Sequence, residues 1–341
     1  QKLRDAVHQN EQAVAQVKAV SGTSKPAVSS GMENTKLSIS DHINRMLMYA
    51  NSGDEGRWFQ ADNDESSTRL RFVGSTALDE EWTASTKLEV QFELNSSNDV
   101  TINQNTTAAG NNSFTQRIID IYFASKRLGK LTLGQSDAAS NGDLSRTGVI
   151  ASADSKALGG SLEFHRSGTR GTGSGTTIGD TFNNLDGLDR DDLIRYDTPT
   201  FAGAKLSTSW VDGDEFDVAL RYGREFDGTE VALVLGYWDA GPTNQKEGYG
   251  GSLSFAFPFG TSLTGAYAEE DLEAAGRQNE QYWYAKLGHV LDLTSLGATA
   301  LSFDYMATED QDANGNEGTS YSVAGVQFLD RIGTEIYATF R

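Results

Sequence analysis

The sequence predicts an all-β fold, an antiparallel barrel that crosses a membrane, and three observations carry that prediction. Fifteen segments from Lys36 onward alternate apolar and polar residues with a period of two. The connections between them also alternate: short and glycine-containing ("RLGK", "FAGA", "FDG", "FPFG", "LTSLGA", "LDRIG"), then mostly long and polar. Aromatic residues such as Tyr122, Tyr196, Trp210, Tyr237, Trp283 and Tyr305 collect toward segment ends, where interfacial girdles sit. A soluble sandwich explains the alternation but not the paired short and long connections.

Composition agrees. The 341 residues include 36 glycines, only four prolines and no cysteine, and the net charge is −20. Mean hydropathy is −0.47, and no run approaches the ~18–20 apolar residues of a spanning helix. Barrel strands alternate lipid-facing and lumen-facing residues, so a low mean is compatible with spanning. The acidic balance argues against a nucleic-acid partner, which needs a basic patch. The lack of cysteine excludes thiolate metal sites and thiol catalysis and suits an exported protein. A start at Gln1 fits a mature, processed chain.

In chain order, residues 1–20 predict a helix. Leu3, Val7, Asn10, Val14 and Val17 form a heptad-like seam with one polar position, the pattern of a short coiled coil that fixes register. Residues 21–35 read as a linker, and 36–341 as the barrel. The predicted strands begin "KLSISDHINRMLMY", "STRLRFVG", "STKLEVQFELN", "RIIDIYFAS", "GKLTLGQS" and "DLIRYDT", and the last is "TEIYATFR". Long connections fall at 51–66, 95–115, 137–190, 239–248, 269–280 and 307–319, with a brief one at 212–215.

"KLSISDHINRML", "DNDESSTRLRFVGS", "IYFASKRLGKLTLGQSDAAS", "FNNLDGLDRDDLIRYDTPTFAGAKLS" and "GTEIYATFR" together resemble the general diffusion porins of Gram-negative bacteria, over residues 36–341. The resemblance implies a 16-stranded barrel in the outer membrane, a homotrimer, and a long third loop folded into the lumen as a constriction. Its implied partners are further copies of the chain, outer-membrane lipids and lipopolysaccharide, and peptidoglycan through the N-terminal helix. Two features depart from it. The strand count is fifteen where single-chain bacterial barrels are even, so a sixteenth is expected beyond Arg341, and the N-terminal helix is an addition.

Strand parity then sorts the charges. With Leu70 and Phe72 facing outward, Arg69 and Arg71 point into the lumen, because a charge on the lipid face near mid-membrane costs ~2–4 kcal/mol. The same test turns Lys87, Glu89, Gln91 and Glu93 inward, with Arg195 and Arg221, and leaves Asp41 and Arg45 on the outer face, suited to a trimer contact. The resemblance places a basic wall at Arg69, Arg71 and Arg195, facing an acidic loop 137–190 that carries Asp137, Asp143, Asp154, Asp180 and Asp186. Rings of charge of this kind tune ion selectivity.

Asp310, Asp312 and Asn314 in "DQDANG" begin like a calcium loop, but Tyr321 stands where the bidentate Glu belongs. The four histidines lie on separate segments without ligand spacing, and no nucleophile or acid–base cluster is marked, so neither a cofactor nor an enzyme is expected. The expectation is a passive channel for ions and small hydrophilic solutes, weakly cation-selective. Its rivals are a solute-specific pore and a non-conducting structural or adhesive envelope protein.

Overall fold

The computed structural model describes residues 35–53, 55–102, 114–141, 158–165 and 173–341. The N-terminal seam, most of the linker, Asp143 and Asp154 lie outside the described residues. The strands are β1 (Thr35–His42), β2 (Arg45–Asn51), β3 (Gly56–Asp62), β4 (Arg69–Ala77), β5 (Trp82–Phe92), β6 (Phe114–Ser125), β7 (Gly129–Asp137), β8 (Glu163–His165) and β9 (Gly173–Thr177). After a one-turn helix α1 (Ile178–Thr181) follow β10 (Arg190–Asp197), β11 (Ala204–Val211), β12 (Glu215–Phe226), β13 (Thr229–Asp239) and β14 (Lys246–Ala256). The last five are β15 (Thr261–Leu272), β16 (Glu280–Thr294), β17 (Gly297–Glu309), β18 (Glu317–Leu329) and β19 (Thr334–Phe340).

Fifteen of these strands form one sheet in the order β1, β4–β7, β10–β19, every neighbouring pair antiparallel. The sheet curls until its two ends approach each other. The Tyr337 hydroxyl on β19 donates to Asn44 Oδ1 at 2.7 Å and accepts from Asn63 Nδ2 at 2.8 Å, both beside the end of β1. Short turns close one rim. The turn between β12 and β13 is only Asp227–Gly228, both with positive φ (48° and 80°), the twist-matched hairpin turn that Asp-Gly favours.

The two faces of the wall differ as the alternation requires. Outside, cross-strand partners carry an apolar belt: Leu263, Leu287, Phe303, Val323 and Phe340 sit side by side from β15 to β19, all exposed. A patch this continuous exceeds what a water-facing surface tolerates and matches the lipid band of a membrane barrel. Among the described residues no helix is long and apolar enough to cross a membrane. Inside, acids pair with hydroxyls on adjacent strands. Ser136 donates to Asp120 at 2.8 Å, Ser207 to Asp197 at 2.7 Å and Ser322 to Asp304 at 2.6 Å, so buried carboxylates keep charge-assisted partners.

Two sequence expectations are corrected. "KLSISDHINRMLMY" is not one strand. It breaks at Ile43–Asn44, where the backbone N–H of Asn44 donates to Thr68 Oγ1 at 3.0 Å, and β2 leaves the wall to pair only with β3. This hairpin lies in the first long connection (L1, 43–68) and buries Met48 and Phe59 against Val100 and Leu162. Arg45 is therefore no outer-face residue of the wall: it is ion-paired with Asp62 across the hairpin. Parity stops at a strand's end, whereas Asp41, opposite Leu70 in the ladder, shares the outer face with it.

The connections expected at 269–280 and 307–319 shrink to 273–279 and 310–316, because β15 to β18 continue to Leu272, Glu280, Glu309 and Glu317. There both faces are polar, and period-two hydropathy no longer marks the strand.

Candidate functional site

The third long connection (L3) returns through the inside of the wall. Its first residues are clamped by side chains of neighbouring strands. Ser140 donates through its N–H (2.7 Å) and its hydroxyl (2.6 Å) to Asp217 Oδ2, and the Ala139 N–H donates to Ser209 Oγ at 2.6 Å. Arg195 donates to the carbonyls of Asp137 (3.0 Å) and Ala138 (2.9 Å), and Arg221 to that of Ala139 (2.7 Å). Both arginines point inward, as parity requires. Their guanidiniums hold the loop backbone rather than line open space.

The return leg, from α1 to Asp189, lies against the far inner wall. Phe182, Leu185 and Leu188 are buried with Trp238, Tyr282 and Met306 of β13, β16 and β17. Apolar side chains on lumen-facing positions are explained by this leg, each buried Leu or Phe contributing about 1.5–3 kcal/mol. Polar contacts fix the register: Thr308 Oγ1 donates to the Thr181 carbonyl at 2.6 Å, and the buried Gln311 side chain both accepts from Asn183 N (2.5 Å) and donates to Asn183 O (2.6 Å). Gly318 is a close-approach position, since a Cβ there would sit 2.5 Å from Thr181 Cγ2 and 2.8 Å from Phe182 Cε1.

Opposite, on β4 to β6, three guanidiniums converge on one carboxylate. Arg71 Nε donates to Glu89 Oε2 at 2.5 Å, Arg117 Nε donates to Glu89 Oε1 at 2.9 Å, and Arg69 Nη1 lies 3.9 Å from Oε1. The Glu89 side chain is 1% exposed while those of the arginines are 17–29%, so the acid sits behind the cations. Three positive charges share one negative, and the cluster presents net positive charge to the lumen. Arg69 also donates to Ser66 Oγ of L1 at 2.9 Å.

Between this wall and the return leg lies a polar cavity of about 360 Å³. Its lining includes Arg69, Arg117 and Arg190, Asp186 and Asp189 of L3, Asp64 and Glu65 of L1, and the Lys246–Glu270 ion pair (2.7 Å). Five carboxylates and four cations thus share the lining of one space. Leu185, φ 46°, carries the chain past it in a left-handed conformation, held by its N–H donating to Asn183 Oδ1 at 3.1 Å.

The expected residues distribute unevenly. Arg69 and Asp186 line the cavity, and Arg71 backs it through Glu89. Lys87 lies 3.9 Å from Asp120 and faces that acid instead. Asp137 ends β7 and pairs with Arg190 at 3.2 Å, and Asp180 caps α1 by accepting from Thr177 N at 2.8 Å. These two acids are structural rather than cavity-facing. At the calcium-like stretch, Arg277 donates to the carbonyls of Asp310 (3.3 Å) and Asp312, and Asn314 is tied to the connection before β16. A side-chain cation already occupies that turn, and no group of three or more metal-ligating side chains occurs among the described residues.

Sequence reasoning missed Arg117, Arg190, Lys246 and Glu270. Arg117 escapes because of a bulge: Glu89 pairs with Ile118 and Val90 with Gln116, so Arg117 is the extra residue. With Ile118 and Asp120 buried on the lumen side, plain alternation would send Arg117 outward, and the bulge re-aims it. Arg190, Lys246 and Glu270 lie at strand ends that read as loop, and Asp64 and Glu65 of L1, likewise unassigned, stand in a stretch that reads only as polar and acidic.

A curled antiparallel wall with an apolar outside, a charged inside and a loop docked across the interior defines a β-barrel channel of the outer-membrane type. The chain belongs to the Gram-negative porin family, whose model it matches over residues 13–341, and it is an integral outer-membrane protein. Among solved structures it resembles an anion-selective porin from Comamonas acidovorans, at 15% identity and TM-score 0.60, over 89% of this chain and 87% of that one. It also resembles the trimer form of OmpT, an outer membrane protein of Vibrio cholerae (10%, TM-score 0.58, 90% and 88%). Salmonella typhi OmpF, in a complex with daunomycin, is similar as well (13%, TM-score 0.54, 87% and 86%). At these identities the likeness shows the fold alone. No curated protein matches the chain in sequence.

Proposed function

We propose that the protein forms a homotrimeric, water-filled pore through which ions and small hydrophilic solutes diffuse down their gradients, with a weak preference for cations. One observation carries the reading: the polar cavity between the Arg69–Arg117 wall and the return leg, in which carboxylates outnumber cations by one. A hydrated ion passing there meets both signs of charge at short range and exchanges part of its hydration for them, the condition for conduction with mild selectivity. The trimer is supported by the trimer form of the Vibrio cholerae neighbour. Lipid and lipopolysaccharide would contact the apolar belt and outer rim, and residues 1–20 would reach peptidoglycan.

The test is conductance and reversal potential of the purified protein in a planar bilayer under a tenfold KCl gradient. Current steps in groups of three with a reversal potential on the cation side support the reading. An anion-side potential would mean that the Arg69–Arg71–Arg117 cluster dominates the carboxylates, and a folded barrel without current would leave a structural envelope role.

A further inference from the structure

One contact at the cavity's edge is unaccounted for by ion passage alone. Asp64 lies in a 3-10 turn of L1 (Asp64–Ser66), and Glu93 follows β5 at the start of the second long connection, L2 (93–113). The two connections are bolted together beside them. The Asp62 N–H donates to the Asn95 carbonyl and the Ser97 N–H to the Asp62 carbonyl, both at 2.8 Å, while Asp62 Oδ2 accepts from the N–H groups of Leu94 (3.1 Å) and Asn95 (3.0 Å). This docking sets the carboxyl groups of Asp64 and Glu93 beside each other.

Glu93 Oε2 accepts from the Gln91 amide, but Glu93 Oε1 is buried and has no donor. A buried carboxylate oxygen left without a donor is costly, and two carboxylates in contact do not both ionise readily. A proton on Asp64 removes the like charge and supplies a donor towards Glu93. Burial, with the Glu93 contact second, pushes the Asp64 carboxyl up to about 7. The other charged groups around the pair are Arg117 from β6, Asp99 from L2, and Arg69 and Glu65 along the cavity lining. Ser67 Oγ lies 3.5 Å from Asp64 Oδ1.

We infer that the Asp64–Glu93 pair is a proton-operated specificity element of the pore, an inference that rests on the channel reading above. With the proton bound, four carboxylates and four cations line the cavity, and with it released the acids exceed the cations by one. Because the Asp64 carboxyl titrates high, the proton is on below about pH 7 and off above it. Cation preference therefore strengthens as the medium turns alkaline and fades as it turns acidic.

The experiment is the reversal potential under a KCl gradient at about pH 5.5 and about pH 8.5, on either side of the transition. In the unmodified pore the ratio of potassium to chloride permeability should be about twofold higher at the alkaline pH, the effect of one unit charge several ångströms away in screened water. Asp64→Asn should remove the step and hold the pore at its low-pH ratio. Glu93→Gln takes away the like charge, so the step should move to more acidic pH. His42, whose Nε2 lies 3.2 Å from the Ser66 carbonyl, is the nearby group that ordinarily titrates in this range, and His42→Gln should retain the step. A conducting pore whose ratio does not change with pH, an unaltered step in Asp64→Asn, or loss of the step in His42→Gln would each overturn the inference while leaving the channel intact. A folded barrel with no current would overturn the channel reading and this inference with it.

Discussion

Phe182→Ala is the substitution that bears most directly on how the return leg of L3 is held. Phe182 is 6% exposed and packs in the cluster of Trp238, Tyr282 and Met306. Truncating a buried Phe to Ala costs about 3–5 kcal/mol in lost contacts and cavity. None of that cost falls on the strand ladders, in which Phe182 takes no part. It falls on the docking of the return leg. At about 1.4 kcal/mol per factor of ten, the ratio of docked to undocked leg drops by a factor of about 10² to 4 × 10³. Single-channel recording should show larger mean conductance and added current noise, with an unchanged melting transition of the barrel. Gly318→Ala should act in the same direction, since its new methyl group meets Thr181 and Phe182. If Phe182→Ala left conductance and noise as they were, the return leg would not be what narrows the pore.

The charge wall makes two further predictions, both read as reversal potentials. Replacing Arg69 and Arg71 by Ser removes two cations from the positive side and should raise cation preference about two- to fivefold, less at high salt. Glu89→Gln should shift preference the other way by about twofold, because the carboxylate shared by Arg69, Arg71 and Arg117 loses its charge.

Much of the wall is legible in the sequence because a membrane barrel imposes a strict rule. Lipid outside and water inside force every second residue to declare its side, so Arg69, Arg71, Arg195 and Arg221 could be placed inside from Leu70, Phe72, Ile194 and Leu220 alone. The rule fails wherever both faces are polar or the ladder slips. Arg117 sits on a bulge that parity cannot see. Glu270 and Lys246 lie at strand ends beyond the apolar belt, and "EEDL" (269–272) reads as loop although its ladder continues as far as Leu272. The break at Ile43–Asn44 carries no Gly or Pro to announce it.

Roles within the lumen were less legible than positions. Lys87, Arg195 and Arg221 point inward, but acids and loop carbonyls from distant segments engage them. Asp180 was one acid among several in a loop until the Thr177 cap assigned it a structural task. The partner, not the parity, decides what a lumen charge does.

The central claim is that the return leg of L3 borders the conduction path at the arginine wall. The chain has no cysteine, so a single Asp186→Cys substitution can be labelled cleanly with a positively charged methanethiosulfonate reagent while current is recorded. The account predicts a stepwise fall in conductance and a loss of cation preference on labelling Asp186→Cys, and no change on labelling Asp192→Cys, which is exposed, shares the outer face with Ile194 and is absent from the cavity lining. Complete labelling at position 186 with current and reversal potential unaltered would contradict it.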